Sequence, residues 1–114
     1  MKVRLHVRGG RPETQEFAAL LVDRFAAVGT TVIDDGAIPG ALGSRPFDGE
    51  GLSVARRELV ADGVLTSWLA ESASARQLGI QPTGHAARGA SGAPGAAPSN
   101  LYIAAGRRSR EEVL

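Results

Sequence analysis

The chain has 114 residues, of which 43% are hydrophobic and 22% charged, as in an ordinary globular domain. Its 13 basic and 12 acidic side chains leave a net charge of +1, which argues against a nucleic-acid partner. The absence of cysteine excludes disulfides, thiolate metal ligands and thiol catalysis. No signal peptide and no apolar stretch long enough to cross a membrane are present, so the sequence predicts a cytoplasmic protein without membrane contact.

The N-terminal part of the chain predicts one strand and one helix. Apolar and polar residues alternate over residues 3–8, which is the period of a half-buried strand. Pro12 and the helical spacing of apolar residues after it predict an amphipathic helix over residues 12–28. Gly29 is placed to end that helix.

The central part of the chain predicts β-structure. Residues 30–33 are β-branched and predict a short strand, which ends at a turn over residues 34–36. Residues 52–69 predict a β-hairpin, because Asp62 and Gly63 form the dipeptide that two-residue hairpin turns prefer.

The C-terminal third predicts three short elements. Residues 72–79 predict a two-turn helix that ends at Gly79, and residues 101–103 predict a strand. Ser109 and Glu112 have the spacing of a capping box, yet the chain stops soon afterwards. We therefore expect an α+β fold of mainly antiparallel strands, and a fragment of a larger β-rich domain.

Two long segments rich in glycine and proline, residues 36–51 and 82–100, connect these elements. Leu42 and Phe47 favour an ordered first segment. Two long loops anchored on strands can form a cleft for an extended peptide. The alternative is that both segments are disordered linkers.

Metal and nucleophile patterns are weak in this sequence. The two histidines, His6 and His85, lack the spacing of a zinc motif. Ser99 or Ser91 paired with His85 is a poor candidate for nucleophilic catalysis, because no third group is evident to orient the base. Four acidic residues could instead gather as oxygen ligands, although their spacing fits no EF-hand: Asp34, Asp35, Asp48 and Glu50.

Six blocks of sequence follow one another in a characteristic order: residues 32–36, 39–51, 58–65, 74–79, 82–88 and 98–103. Together they resemble the TldD/PmbA family, whose members are also called modulators of DNA gyrase. Gly-Ser-Arg-Pro-Phe-Asp at 43–48 and Thr-Gly-His at 83–85 are most similar to the PmbA, or TldE, branch. Residues 1–29 stay outside the resemblance, so the chain divides into that strand-helix segment and a partial PmbA/TldD-like C-terminal domain over 30–114.

The resemblance implies one subunit of a TldD–TldE zinc metalloprotease that degrades unfolded peptides and removes leader peptides. In that family the TldD subunit supplies a zinc-binding H-E-x-x-x-H helix and a cysteine ligand, and this sequence has neither. It therefore implies a chain with no cofactor of its own that is not catalytic alone. Its partners would be a TldD-type subunit, which holds the zinc, and a peptide substrate, in an oligomer.

The polar residues that we expect at a peptide cleft or subunit contact are Asp48, Glu50, His85, Arg88 and Asn100. No catalytic, cofactor-binding or metal-binding residue is assigned. Each candidate also has a structural interpretation: the two acids as turn caps, the imidazole as an ordinary loop side chain, and the asparagine as a hydrogen bonder where a strand begins. The alternative function is a small stand-alone peptide- or protein-binding module with no protease role.

Overall fold

The computed structural model describes residues 29–114. The predicted strand at 3–8 and the predicted helix at 12–28 lie outside the described residues. The elements in chain order are β1 (Val32–Asp35), β2 (Arg56–Ala61), β3 (Val64–Leu65), α1 (Ser72–Leu78), β4 (Ala86–Ala87), β5 (Gly95–Ala96), β6 (Leu101–Ile103) and α2 (Arg110–Val113).

Four of the strands form one sheet in the order β3-β2-β1-β6, and every pairing in it is antiparallel. Strands β4 and β5 form a separate two-stranded ladder. The predicted α+β class with mainly antiparallel strands is confirmed. None of the helices within residues 29–114 has the length and apolar character needed to cross a bilayer.

The predicted hairpin turn is confirmed, with shorter arms than expected. Asp62 and Gly63 have φ angles of 50° and 81°, as a turn with two left-handed residues requires. Regular pairing covers only β2 and β3, because the amides of Thr66 and Ser67 both approach the Leu59 carbonyl, at 2.9 and 3.4 Å. This convergence on one acceptor disturbs the ladder just after β3.

Strand β1 begins later and ends later than predicted. Asp34 and Asp35 belong to the strand and pair with Arg57 and Arg56 of β2. The turn predicted at residues 34–36 therefore begins too early in the prediction, because the chain turns only after Asp35. The Asp34 carboxylate has buried partners that a solvent-exposed turn would not provide.

Both short helices of the C-terminal third are confirmed. Helix α1 ends at Gly79, whose φ of 68° is left-handed and whose amide bonds back to the Arg76 carbonyl at 3.3 Å. Helix α2 begins with the predicted capping box, in which Ser109 and Glu112 each accept a backbone amide of the other. The strand at 101–103 is confirmed as β6.

The interior of the described part of the chain is small and unusually polar. Its buried apolar side chains are Ile33, Ala70, Ala75 and Ala86, whereas its buried polar ones are Asp34, Asp48, Glu71, Thr83 and His85. Leu42 and Phe47 are exposed, at 107% and 59%, so neither side chain adds to this interior. The two long segments are held by hydrogen bonds instead.

Candidate functional site

The most buried polar group lies in the middle of the sheet. Asp34 on β1 has no exposed surface, and its Oδ1 accepts the Ser99 amide at 2.8 Å. Its Oδ2 accepts the Ser99 hydroxyl at 2.5 Å and lies 2.8 Å from Nε2 of His85. One carboxylate thus ties the sheet to both ends of the 82–100 segment.

A threonine completes this arrangement on the far side of the imidazole. The Oγ1 of Thr83 lies 2.8 Å from Nδ1 of His85 and accepts the Ala70 amide at 2.8 Å. It also lies 3.1 Å from the Ala70 carbonyl, to which its single proton can alternatively be donated. Asp34, Thr83, His85 and Ser99 form what we call the Asp34 cluster.

The protons of the Asp34 cluster follow from its geometry. Asp34 already accepts hydrogen bonds from Ser99, so Nε2 of His85 serves as a further donor to it. With Nε2 as the donor, Nδ1 is placed to accept the hydroxyl proton of Thr83. Both ring nitrogens are therefore engaged, and the buried ring holds two loops together.

A second carboxylate organises the 36–51 segment. Asp48 is 4% exposed, and its Oδ1 accepts the amides of Glu50 and Leu52, both at 2.9 Å. Its Oδ2 accepts the Ala86 amide at 3.0 Å, while the Gly49 amide donates to the Ala86 carbonyl at 2.8 Å. These bonds fasten the 36–51 segment directly to β4.

The pKa of Asp48 is lowered from its ordinary value of 3.8. Burial alone would raise that pKa, but the amides of Ala86, Leu52 and Glu50, together with the nearby Arg45 charge, outweigh it. Since the folded-state pKa is the lower one, the ionised carboxylate stabilises the fold above about pH 4. This contribution is lost as the pH falls through the folded-state pKa.

Asp48→Asn is expected to lower the free energy of unfolding at pH 7 by about 2 kcal/mol, because the amide nitrogen cannot accept a backbone N–H. Urea unfolding at pH 7 measures this loss. In a pH series from 6 to 2, the gap between the wild-type chain and the variant should narrow at the acid end, where the wild-type carboxylate is protonated. A gap of constant size would contradict the assigned role of the charge.

Two further carboxylates cap helix α1. Glu50, reaching from the 36–51 segment, accepts the Ser72 amide at 3.0 Å and the Ser72 hydroxyl at 2.7 Å. Glu71 is the N-cap and accepts the Ser74 amide at 3.0 Å. The pKa of Glu71 is lowered, chiefly by the hydrogen bond from the Ser74 hydroxyl. The helix start is thereby held by its own cap and by a neighbouring loop.

Asn100 connects the start of β6 to the 36–51 segment. Its Oδ1 accepts the Gly43 amide at 2.8 Å, and its Nδ2 donates to the Asp35 carbonyl at 2.8 Å and to the Ser44 hydroxyl at 2.9 Å. Gly43 lies so close to the Ser99 carbonyl that a Cβ there would be 2.2 Å from the carbonyl oxygen. A glycine is therefore required at this crossing of two loops.

Four of the five candidate residues make hydrogen bonds within the chain, and the fifth is exposed. Asp48, Glu50, His85 and Asn100 each bond to another segment of the chain. Arg88 is exposed, and its Cγ passes 3.4 Å from the position that a Cβ on Gly49 would take. Their role at a peptide cleft or subunit contact stays a prediction.

The serine–histidine pair, a poor candidate from the sequence, is not formed with Ser99. Ser99 donates its hydroxyl to Asp34, and His85 contacts that same carboxylate through Nε2. The hydroxyl near the ring is that of Thr83, the first residue of the Thr-Gly-His motif. A nucleophile at Ser99 would have to leave its carboxylate partner before His85 could serve as its base.

The residues described here do not fit a zinc ion. Across residues 29–114, no three histidine, aspartate or glutamate side chains are grouped as a metal would require. The oxygen-ligand alternative from the sequence is wrong, because Asp34 faces His85 and Ser99 whereas Asp48 faces backbone amides. The ring nitrogens of His85 are both occupied by hydrogen bonds.

Sequence reasoning missed the roles of three residues in the network. It considered Asp34 only as a possible metal ligand, and it considered Gly43 and Thr83 only as parts of family motifs. The sequence signal for a buried Asp34 was the position of the Asp34-Asp35 pair directly after the β-branched residues 30–33. Asp34 follows Ile33 directly, and in the structure the burial of both is almost complete. No sequence spacing predicts that Asp34 contacts residues 83–99, because the contact depends on the path by which the 82–100 segment folds back onto the sheet.

Comparison with known proteins identifies the family. A family model described as the PmbA/TldA metallopeptidase C-terminal domain matches residues 17–114, a range that begins before residue 30. The metalloprotease PmbA of Escherichia coli is 56% identical over 45 residues, which are 40% of this chain and 10% of that protein. A metalloprotease of Methanothermobacter thermautotrophicus is 38% identical over 94 residues, covering 82% of this chain and 20% of the relative.

Solved structures give the same fold. A proposed modulator of DNA gyrase from Thermotoga maritima matches 75% of this chain and 19% of its own, with a TM-score of 0.63 and 33% identity. TldE from Thermococcus kodakarensis matches 86% of this chain and 24% of its own, with a TM-score of 0.66 and 22% identity. The chain thus spans about a fifth of the length of such relatives. Because the family model covers most of its residues, the chain belongs to the PmbA/TldD family of metalloproteases.

Proposed function

We propose that the chain is a PmbA/TldE-like part of a TldD/PmbA-type metalloprotease system that acts on unfolded or leader peptides, with the catalytic zinc held by a TldD-type partner. The family match over residues 17–114 carries this proposal. The identity of 56% to PmbA, against 28% to a Buchnera aphidicola TldD homologue over a longer alignment, supports the PmbA branch.

The arrangement of the two long segments supports a shaped surface for a peptide or a subunit. Residues 36–51 and 82–100 are joined to each other through Asp48 and Ala86, and to the sheet through Asp34. Segments fixed in this way can present side chains to a ligand at little cost in conformational entropy. The buried carboxylates would then act as scaffold, while the exposed parts of the loops make the contact.

The internal hydrogen bonds of the candidate side chains support a role without a metal. The carboxylate oxygens of Asp48 and Asp34 accept hydrogen bonds from within the chain, and both ring nitrogens of His85 are hydrogen-bonded. A general base must reach the proton that it abstracts within about 3 Å. Within residues 29–114, these groups are turned toward the protein instead.

A mixing experiment tests this function. The full chain, a TldD-type subunit from a related organism and their mixture are each incubated with an unfolded peptide, and cleavage is followed by mass spectrometry with and without a chelator. Cleavage is expected only in the mixture, and the chelator should abolish it. Chelator-sensitive cleavage by the chain alone would overturn the proposal. So would a mixture that neither associates nor cleaves, and that outcome would favour the stand-alone binding module.

A further inference from the structure

Strand β6 forms one edge of the four-stranded sheet, and among residues 29–114 no strand pairs with its outer side. Its three side chains are all exposed, at 52% for Leu101, 40% for Tyr102 and 68% for Ile103. The edge of a sheet offers backbone donors and acceptors to any other extended chain. Exposed apolar side chains beside such groups indicate an interaction surface.

The pairing with β1 fixes which backbone groups of β6 are available. The carbonyl of Asn100 accepts the last amide of β1 at 3.1 Å, and the amide of Ala104 donates to the carbonyl just before β1 at 2.9 Å. Hydrogen-bonded and non-hydrogen-bonded pairs alternate along an antiparallel ladder, so Tyr102, midway between them, also points its backbone groups toward β1. Leu101 and Ile103 therefore point theirs outward, where no backbone group of residues 29–114 bonds to them.

The two edges of the sheet differ in their protection against pairing with another chain. Short edge strands, irregular ladders, charges and prolines are the features that prevent such pairing. At the opposite edge, β3 has only two residues and is followed by the disturbed ladder at Thr66 and Ser67. Strand β6 pairs regularly with β1, and residues 99–105 include no charge and no proline. The β6 edge is therefore the one that another strand can join.

We propose that a second copy of this chain joins the sheet at this edge, through antiparallel pairing of β6 with β6. A two-fold axis beside Tyr102 places Leu101 of each copy opposite Ile103 of the other. Both residues point their backbone groups outward, so each of the two pairs exchanges two hydrogen bonds. The two Tyr102 side chains then lie side by side as a cross-strand aromatic pair.

The charge of the edge favours a second copy as the occupant. In a two-fold contact the same residues meet from both sides, so a charged strand would repel itself. Residues 98–106, which would face each other across the axis, are uncharged, and the whole chain carries only +1. The contact of three-residue strands is small, so we expect a weak dimer that forms at high concentration. This inference does not depend on the proposed function, since no protease partner takes part.

Sedimentation velocity of the full chain, from about 10 µM to about 1 mM, tests the proposal. The chain is expected to change from monomer to dimer across this range. Amide hydrogen exchange should slow in the dimer at Leu101 and Ile103, and far less at Tyr102, whose amide already faces β1. A monomer at every concentration would overturn the proposal. Slow exchange at Leu101 and Ile103 in a monomer would overturn it too, because another part of the same chain would then cover the edge.

Paired substitutions at the two exposed positions test the register. Leu101→Lys with Ile103→Lys puts like charges opposite each other across the axis and should weaken the dimer at least ten-fold. Leu101→Glu with Ile103→Lys puts each glutamate opposite a lysine, and this variant should dimerise at least ten-fold more tightly than the first. Val64→Lys, at the exposed opposite edge, is the matched control and should leave the dimer unchanged. Equal dimerisation of the two double variants, or loss of the dimer in Val64→Lys, would rule out pairing through β6.

Discussion

Asp34→Asn is expected to lower the free energy of unfolding by about 3 kcal/mol, the largest loss that we anticipate from a nearly isosteric change. The Asp34 carboxylate has no exposed surface and is contacted by three donors, from Ser99 and His85. An amide at this position turns an NH₂ group toward one of those donors and leaves a buried hydrogen bond unmade. Urea unfolding followed by circular dichroism measures the loss.

Asp35→Asn is the matched control for this change. Asp35 is the next residue of the same strand, and its Oδ1 accepts only the Ala37 amide, at an exposed position. An asparagine oxygen can accept that bond equally well, so the expected change is below about 0.5 kcal/mol. Similar losses for the two variants would contradict the special role of the buried carboxylate.

Gly43→Ala is expected to destabilise the chain by about 2–3 kcal/mol. The new Cβ would lie 2.2 Å from the Ser99 carbonyl oxygen and 2.9 Å from Oδ1 of Asn100, so the two loops must separate. That separation also breaks the bond from the Gly43 amide to Asn100. Thermal unfolding gives the change in stability, and hydrogen exchange at the Gly43 amide shows whether this contact has opened.

Gly89→Ala provides the comparison, because nothing lies within 4 Å of a Cβ at that position and its φ is not left-handed. This variant should be neutral or slightly stabilising, since alanine restricts the unfolded chain. If Gly43→Ala were as stable as Gly89→Ala, the close crossing of residues 43 and 99 would not exist in solution.

Local signals in this sequence were the most informative ones. The Asp62-Gly63 turn, the helix that ends at Gly79 and the capping box after Ser109 all depend on residues within a few positions of one another. Each is confirmed, because backbone preference and short-range hydrogen bonds act before any tertiary contact forms.

The order of the long segments depends on contacts that no local sequence pattern reveals. Leu42 and Phe47 favoured an ordered 36–51 segment, yet both side chains are exposed. The segment is instead ordered by Asp48, which accepts amides from both its own turn and β4. The small strands β4 and β5 inside the 82–100 segment were also missed, because two-residue ladders have no detectable periodicity.

The sequence by itself determined the turns, the caps, the antiparallel α+β class and, through the order of its six blocks, the family. The tertiary structure alone decided that Asp34, Thr83, His85 and Ser99 meet in one buried cluster, and that Nε and Nη2 of Arg45 have no hydrogen-bond partner among residues 29–114. The physical reason is the reach of each interaction. Turns and caps depend on neighbouring residues, whereas a contact such as that of Asp34 with Ser99 depends on the path of the whole segment between them.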